Sequence, residues 1–240
     1  MLSKASVIYF RFAKIILTMN TEKRKLINSI IVPTAIVLII WLIKLGEIIF
    51  NINLGFLGIY PLKAEGLWGI ICSPLLHSDL NHLYANTIPL FVLSAALFYF
   101  YEEIALKIFI YIYLTTDVWV WIIARAAWHI GASGLIYGLF SFIFVSGILR
   151  KHNRLMALSM FVIFLYGGLI WGIFPNNFQQ EISWESHLMG LIAGLIFAFY
   201  FKDEGPQKVE YQWVEDENED DDYYMQPYVE EEEEKNKEVN

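Results

Sequence analysis

The feature that most constrains this chain is an uncharged run of twenty residues at 130–149. An α-helix of about 20 apolar residues is long enough to cross the hydrocarbon core of a bilayer. The run opens with Gly-Ala-Ser-Gly at 131–134, which puts a hydroxyl between glycines at the start of the predicted helix. Two interpretations follow. Either the small residues allow close helix packing, or Ser133 is a nucleophile beside backbone N–H groups that receive an oxyanion.

The composition supports a membrane protein. Of the 240 residues, 57% are hydrophobic and 17% aromatic, far from the balance of a soluble domain. Charge is segregated, since residues 203–240 hold 16 acidic residues and three lysines, whereas residues 1–202 hold 14 basic and nine acidic residues. The single cysteine, Cys72, excludes an intramolecular disulfide. Basic residues interrupt the apolar stretch near the N-terminus, so no cleavable signal peptide is predicted.

Apolar segments divide the chain into an all-α membrane domain of six transmembrane helices. The predicted helices cover 26–43, 81–101, 104–123, 133–149, 155–174 and 184–201. The first loop, 44–80, is rich in Asn, Gly and Pro, and we expect it to be structured and partly embedded in the membrane. The third helix is expected to end either at residue 123 or already at Asp117, near its far end. The membrane domain therefore spans 26–202.

The flanking segments differ in charge. Residues 1–25 form a basic arm that could be an interfacial helix, and residues 203–240 form an acidic tail that we expect to be disordered. Six spans place both termini on one side. That side holds eleven basic residues and the other only three, Lys44, Lys63 and Arg125, so the positive-inside rule predicts cytoplasmic termini. The tail is either a solvated spacer or a docking segment for a basic partner.

Polar residues stand at the starts of the second, fourth and sixth predicted helices. These helices run in the same direction, so their starts lie at the same membrane level. His82 and Asn86 are four residues apart and share one helix face. Ser133 opens the fourth helix, and His187 lies near the start of the sixth. Ionisable and polar side chains within a bilayer are functional-site candidates by default.

These residue types suit acyl transfer. A serine needs a base to accept its proton, and the neutral imidazole of His187 is suited to that role. No acidic residue is positioned to orient this histidine, so a dyad is expected. Tyr137, one turn after Ser133, could pack on the His187 ring. Gly190 and Gly194 predict a small-xxx-small seam that brings the sixth helix against the fourth. Oxyanion donors are available from His82, Asn86 and the Ser133 N–H.

Three sequence blocks match a known family in order and on the expected helices. They are HSDLNHLYAN at 77–86, GASG at 131–134 with Tyr137 following, and HLMGLIAG at 187–194. The chain thus resembles the rhomboid intramembrane serine proteases. The resemblance covers about 26–202 and implies a six-helix bundle that cleaves transmembrane proteins without a cofactor.

The resemblance also implies roles for individual residues. Ser133 would be the nucleophile and His187 its general base. His82, Asn86 and the Ser133 N–H would form the oxyanion hole. His77 would stabilise the first loop, and the segment 175–183, with Phe174 and Phe178, would cap the site. Supporting positions are Gly131, Gly134, Tyr137, Gly190 and Gly194. One departure is that Trp68 precedes Gly69, where many members have arginine, and this predicts a less stable first loop.

The expected partners are transmembrane substrates and the lipid bilayer, with no nucleic acid, and the composition suits a bacterial inner membrane. The alternative function is a catalytically silent scaffold that binds transmembrane clients. A small transporter is disfavoured because no internal repeat is visible. A metal site is not predicted, since no carboxylate or thiolate accompanies the histidines at a convincing spacing. His129 and His152 are expected to be bystanders.

Overall fold

The computed structural model describes residues 21–175 and 183–208, together with the backbone of 211–212 and 226–227. The principal helices of the described part are α1 (Thr21–Phe50), α2 (Leu80–Phe100), α3 (Ala105–Ile123), α4 (Ser133–Leu149), α5 (Asn153–Tyr166) and α6 (Trp184–Tyr200). A 3₁₀ helix, Gly167–Ile173, continues α5. The β-structure among the described residues is one antiparallel pair of two-residue strands, β1 (Tyr211–Gln212) and β2 (Gln226–Pro227).

Four described helical segments are long and apolar enough to cross a membrane, namely Glu22–Phe50, Leu80–Phe100, Ala105–Ile123 and Asn153–Ile173. Helices α4 and α6 are also apolar but have only 17 residues each. The prediction of a helical, multi-pass membrane protein is therefore confirmed, while the count of six spans stays a prediction.

Helix α1 is longer than the sequence predicted. We expected it to end at residue 43, before Lys44, but it continues to Phe50. The reason is that the lysine is neutralised inside the fold. Its Nζ lies 3.0 Å from Glu47 Oε2 and donates to the carbonyl oxygens of His77 and Ser78, each also at 3.0 Å. Because its charge is paired inside the protein, Lys44 can lie within the helix without contacting water.

The first loop begins after α1 and is structured, as predicted. It is built from short helical turns at Gly55–Leu57, Ala64–Trp68, Gly69–Cys72 and Ser73–Leu75. A Cβ on Gly69 would lie 2.2 Å from both the Gly58 carbonyl carbon and the Ile59 nitrogen. The loop backbone therefore packs directly on Gly69. This packing leaves no room for a side chain at position 69, where many members of the family have arginine.

Helix α4 is the central helix. Twelve of its 17 residues are buried, and it packs most extensively on α6, with α5, α2 and α3 around it. Its start is preceded by the loop at residues 124–132, which leads into Ser133 and contacts the first loop. Its end, at Arg150, meets the end of α6. One helix thus carries the candidate nucleophile at one end and a structural junction at the other.

Of the two expected ends of the third helix the structure shows the later one, and the fifth predicted helix changes its geometry along its length. Helix α3 does not stop at Asp117 but runs on to Ile123, with the Asp117 side chain 6% exposed. Continuing the helix satisfies the backbone hydrogen bonds that a break would expose in a bilayer. The predicted helix 155–174 changes from α to 3₁₀ geometry at Gly167.

The predicted flanking segments fall mostly outside the described residues. Of the acidic tail, side chains are described only for residues 203–208, and of the basic arm only for 22–25. At the end of α6, Glu204 accepts from Lys107 Nζ at 2.8 Å. Lys107, in the first turn of α3, is thus paired with the first residues of the tail.

Candidate active site

Ser133 is the first residue of α4 and follows a turn that requires glycine. Gly131 has a φ of +115°, a conformation that residues with a Cβ rarely adopt. Its N–H donates to the Ser73 carbonyl oxygen at 2.9 Å, so the first loop holds this turn in place. The first N–H groups of a helix have no acceptor within the helix. The backbone at Ser133 can therefore donate to an anion placed at the start of α4.

Glycines bring α4 and α6 into backbone contact. A Cβ on Gly190 would lie 1.9 Å from the Gly134 carbonyl oxygen, and one on Gly194 would lie 2.1 Å from the Gly138 carbonyl oxygen. Any larger residue at these positions would force the helices apart. The predicted seam between the fourth and sixth helices is confirmed, and it sets the spacing between the helices that carry Ser133 and His187.

His187 is held at the start of α6 by two contacts. Its ring stacks on Tyr137 with centroids 4.2 Å apart and an interplanar angle of 6°, the packing predicted from the sequence. Its Nδ1 lies 2.8 Å from the Gly172 carbonyl oxygen. Because a carbonyl oxygen only accepts, Nδ1 carries the proton in this contact. A neutral His187 then has its lone pair on Nε2, the nitrogen available to act as a base.

No hydrogen bond joins Ser133 Oγ to His187 in the described part of the chain. Ser133 and His187 are connected through Tyr137, which lies one turn after Ser133 and stacks on the His187 imidazole. Catalytic hydrogen bonds are often long before substrate binds and shorten in the reacting complex.

His82 and Asn86 lie on α2, and the His82 ring reaches the turn that precedes Ser133. A Cβ on Gly131 would lie 2.7 Å from His82 Nε2, so the imidazole edge contacts the turn two residues before the serine. Asn86 is 4% exposed and its Nδ2 donates to the His82 carbonyl oxygen at 2.9 Å. An amide nitrogen carries two N–H groups. One is therefore used within α2, and the other has no partner among the residues that the structure describes.

The tautomer of His82 depends on a surface chain of polar groups. Ser78 Oγ donates to Asp79 Oδ2 at 2.7 Å and lies 3.2 Å from His82 Nδ1. Since the serine's only proton goes to the carboxylate, Nδ1 is the donor in the second contact. A neutral His82 then has an acceptor at Nε2, and Nε2 becomes a donor only when the ring takes a second proton.

His77 packs behind His82. The two rings meet edge to face with centroids 5.0 Å apart, and His77 is only 3% exposed. Burial, followed by the nearby His82, lowers the pKa of His77 to about 3, so its ring is neutral at pH 7. Among the described residues neither ring nitrogen has a hydrogen-bond partner. This buried position fits the loop-stabilising role that the resemblance implies.

Sequence reasoning missed two groups. The Gly172 carbonyl orients His187, but a backbone oxygen leaves no signal in a sequence. His129, expected to be a bystander, is 2% exposed and hydrogen-bonded on both ring nitrogens. The predicted cap lies largely at 176–182, outside the described residues. Phe174, at its edge, is 56% exposed.

Comparison with known proteins decides the family. Residues 64–204 match the family model of the Rhomboid domain, which is more than half of the chain. The chain belongs to the rhomboid family. Uncharacterized proteins of Mycobacterium bovis and Mycobacterium tuberculosis are 34% identical over 198 residues, covering 76% of this chain and 80% of each relative. A putative rhomboid protein of Acanthamoeba polyphaga mimivirus is 29% identical over 138 residues, covering 52% of this chain and 70% of that protein.

The rhomboid match includes the candidate site. It begins within the first loop, at residue 64, and ends just after α6, so it contains every position from His77 to Gly194. Helix α1 precedes it. The rhomboid domain of this chain therefore coincides with the glycine-packed bundle around α4.

Proposed function

We propose that this chain is an intramembrane serine endopeptidase that cleaves transmembrane-helix substrates with a Ser133–His187 dyad. One observation carries the proposal. The Gly172 carbonyl fixes the Nδ1–H tautomer of His187, and the ring stacks on Tyr137 of the helix that Ser133 opens. The imidazole is thus in the form that a general base requires, beside the helix that presents the hydroxyl.

The reaction follows from these positions. Ser133 Oγ attacks the scissile carbonyl while His187 Nε2 takes its proton. The oxyanion that forms receives hydrogen bonds from the Ser133 N–H and Asn86 Nδ2, and from His82 Nε2 when that ring carries its second proton. When this intermediate collapses, the leaving amine takes the proton from Nε2 and an acyl-enzyme remains. His187 then deprotonates water, which attacks the ester and releases the acid and Ser133.

The same proposal includes six transmembrane spans in a bacterial inner membrane, with both termini cytoplasmic. Helices α4 and α6, at 17 residues, meet the lower limit for a span of about 17–25 residues. Because α4 and α6 are shorter than the helices around them, the starts of α4 and α6 lie below the membrane surface. Water then reaches the dyad from the outer face. The basic residues of the turns support the orientation.

Cleavage in lipid vesicles tests the function. The full chain is reconstituted with a model transmembrane substrate that has small and helix-breaking residues at the cleavage region. We expect wild type to produce two fragments and Ser133→Ala to produce none, with the same thermal unfolding temperature. A Ser133→Ala variant that cleaves at the wild-type rate would remove this serine from the mechanism.

The alternative, a silent scaffold that binds transmembrane clients, makes the opposite prediction. It requires wild type to bind the substrate without cleaving it and without reacting with a fluorophosphonate. The presence of both Ser133 and His187 at one junction favours the protease.

A further inference from the structure

His129 occupies the point where three segments meet. It lies in the loop before α4, four residues ahead of Ser133. Its backbone forms a two-way bridge with Ile59 of the first loop, with N···O distances of 2.8 and 2.9 Å. Its carbonyl oxygen also accepts from Ser73 Oγ at 3.0 Å. The backbone of His129 is therefore fixed by the same first loop that holds the turn at Gly131.

The imidazole extends this junction to α6. His129 Nε2 lies 3.0 Å from the Arg125 carbonyl oxygen, and Nδ1 lies 2.6 Å from Ser183 Oγ. Because the carbonyl must accept, Nε2 is the donor, and a neutral ring then accepts the Ser183 hydroxyl proton at Nδ1. Ser186 Oγ, 2.6 Å from Ser183 Oγ, completes the chain as a donor. Burial lowers the pKa of His129, which favours this neutral form.

Ser183 connects this chain to the candidate base. It is the N-cap of α6, and its Oγ accepts from the Ser186 N–H at 3.3 Å. Its carbonyl oxygen accepts from the backbone N–H of His187 at 3.4 Å. Only one residue, Ser183, therefore stands between the His129 imidazole and the backbone of His187.

A salt bridge joins the same two segments at a second point. Arg125 Nη1 lies 3.2 Å from both carboxylate oxygens of Glu185, in the first turn of α6. The Glu185 side chain is 8% exposed, and a carboxylate at a helix start is favoured by the helix dipole. The loop that leads into Ser133 is thus tied to the start of α6 by a hydrogen-bond chain and by an ion pair.

We propose that His129 is a positioning residue that sets the placement of His187 relative to Ser133, through its hydrogen bond to Ser183. It does not touch the reacting atoms. The inference rests on the proposed protease function and adds to it a residue outside the dyad, the oxyanion hole and the cap. Catalysis is sensitive to placement, because a displacement of about 1 Å can lower a rate by about 10²-fold.

Substitutions at two positions test the link. His129→Ala removes both side-chain bonds, whereas His129→Asn keeps an acceptor at the Nδ1 position facing Ser183 and loses the bond to the Arg125 carbonyl. Ser183→Ala removes the partner, and His152→Ala is the matched control for loss of a histidine remote from the site. Each full-length variant is reconstituted in vesicles, and kcat, KM, fluorophosphonate labelling of Ser133 and thermal unfolding are measured.

We expect His129→Ala and Ser183→Ala each to lower kcat and the labelling rate by roughly 10-fold, with KM changed less than about twofold. Combining them should bring no further loss, since both remove one link. His129→Asn should recover most of the rate, and His152→Ala should match wild type. If His129→Ala fails to fold, His129→Asn and Ser183→Ala decide the question.

Three results would overturn the inference. Wild-type kcat and labelling in His129→Ala or Ser183→Ala would show that the link does not position the base. His129→Asn no better than His129→Ala would show that the Nδ1 contact is not what matters. A wild-type chain that neither cleaves nor labels would instead remove the proposed function, and the inference with it. The activity of wild type therefore distinguishes the two failures.

Discussion

The two ends of α4 hold their polar groups in opposite ways. At its end, Arg150 is 6% exposed and each of its side-chain nitrogens donates a hydrogen bond, Nε to Ser146 Oγ at 2.8 Å, Nη1 to the Pro206 carbonyl at 3.1 Å, and Nη2 to the Phe201 carbonyl. The guanidinium also lies 5.5 Å from the centre of the Tyr101 ring. At its start, the polar groups around the candidate site are only partly paired.

The difference separates stability from chemistry. A buried charge that is hydrogen-bonded on several sides rigidifies its surroundings, and it is costly to disrupt. A site needs hydrogen-bonding groups that are still uncommitted when substrate arrives. The amide nitrogen of Asn86, whose one described hydrogen bond goes to the His82 carbonyl oxygen, is an example at the site end. Substitutions at the two ends should therefore separate into loss of folding and loss of activity.

The largest effect on stability is expected at the end of α4 that carries Arg150. Arg150→Ala leaves the carbonyl oxygens of Phe201 and Pro206 without their donor, and buried groups that lose a charged partner are expensive. We expect the free energy of unfolding to fall by about 3 kcal/mol. Fluorophosphonate labelling per folded molecule should stay within about twofold of wild type. Arg154→Ala, at an exposed position, is the control and should change neither quantity.

That prediction is checked by measuring equilibrium unfolding in mild detergent and the time course of fluorophosphonate labelling. If Arg150→Ala unfolded like wild type but lost labelling, the two ends would not be separable, and the comparison would fail.

Substitutions in the glycine seam between α4 and α6 should affect both stability and activity. Gly190→Ala places a methyl group 1.9 Å from the Gly134 carbonyl oxygen, so the helices must move apart. Overpacking of this kind costs about 1–3 kcal/mol, and the shift should also lower kcat. Gly46→Ala in α1 is the matched control, because nothing lies within 4 Å of its added Cβ. Gly190→Ala with wild-type stability and kcat would contradict the close approach of α4 and α6.

The smallest effect concerns pH at the site end. The pKa of His77 is about 3 in the folded chain and about 6.5 when unfolded. Below pH 6.5 the unfolded chain takes up a proton that the folded chain refuses, so stability is full above pH 6.5 and falls as pH drops toward 3. Between pH 7.5 and 5.5 the loss from this one group should be about 1.4 kcal/mol.

The pH effect is measured as the difference between wild type and His77→Asn, which removes the titrating group. The variant should lose less stability over that interval. Equal pH dependence in the two proteins would show that the buried ring does not resist protonation.

Much of this arrangement was predictable from the sequence. The apolar segments located α2 and α3 to within a residue at each end, because hydrophobic runs bounded by charges have a direct physical meaning in membranes. The seam at Gly190 and Gly194 and the stacking of Tyr137 on His187 also followed from spacing on helices.

The rest depended on contacts between distant parts of the chain. Helix α1 passes Lys44 because carbonyls of residues 77 and 78 receive its ammonium group, and no local pattern reveals such partners. The tautomer of His187 is set by a backbone oxygen, which every residue has. His129 looked incidental because its partner, Ser183, lies 54 residues away.

The most direct test of the central claim is the rate at which a fluorophosphonate labels Ser133 in the reconstituted full chain. The account predicts labelling of wild type at Ser133 and a loss of at least about 10³-fold in His187→Asn, because the hydroxyl is a weak nucleophile without its base. Equal labelling rates in wild type and His187→Asn would show that this imidazole does not activate the serine, and would contradict the account.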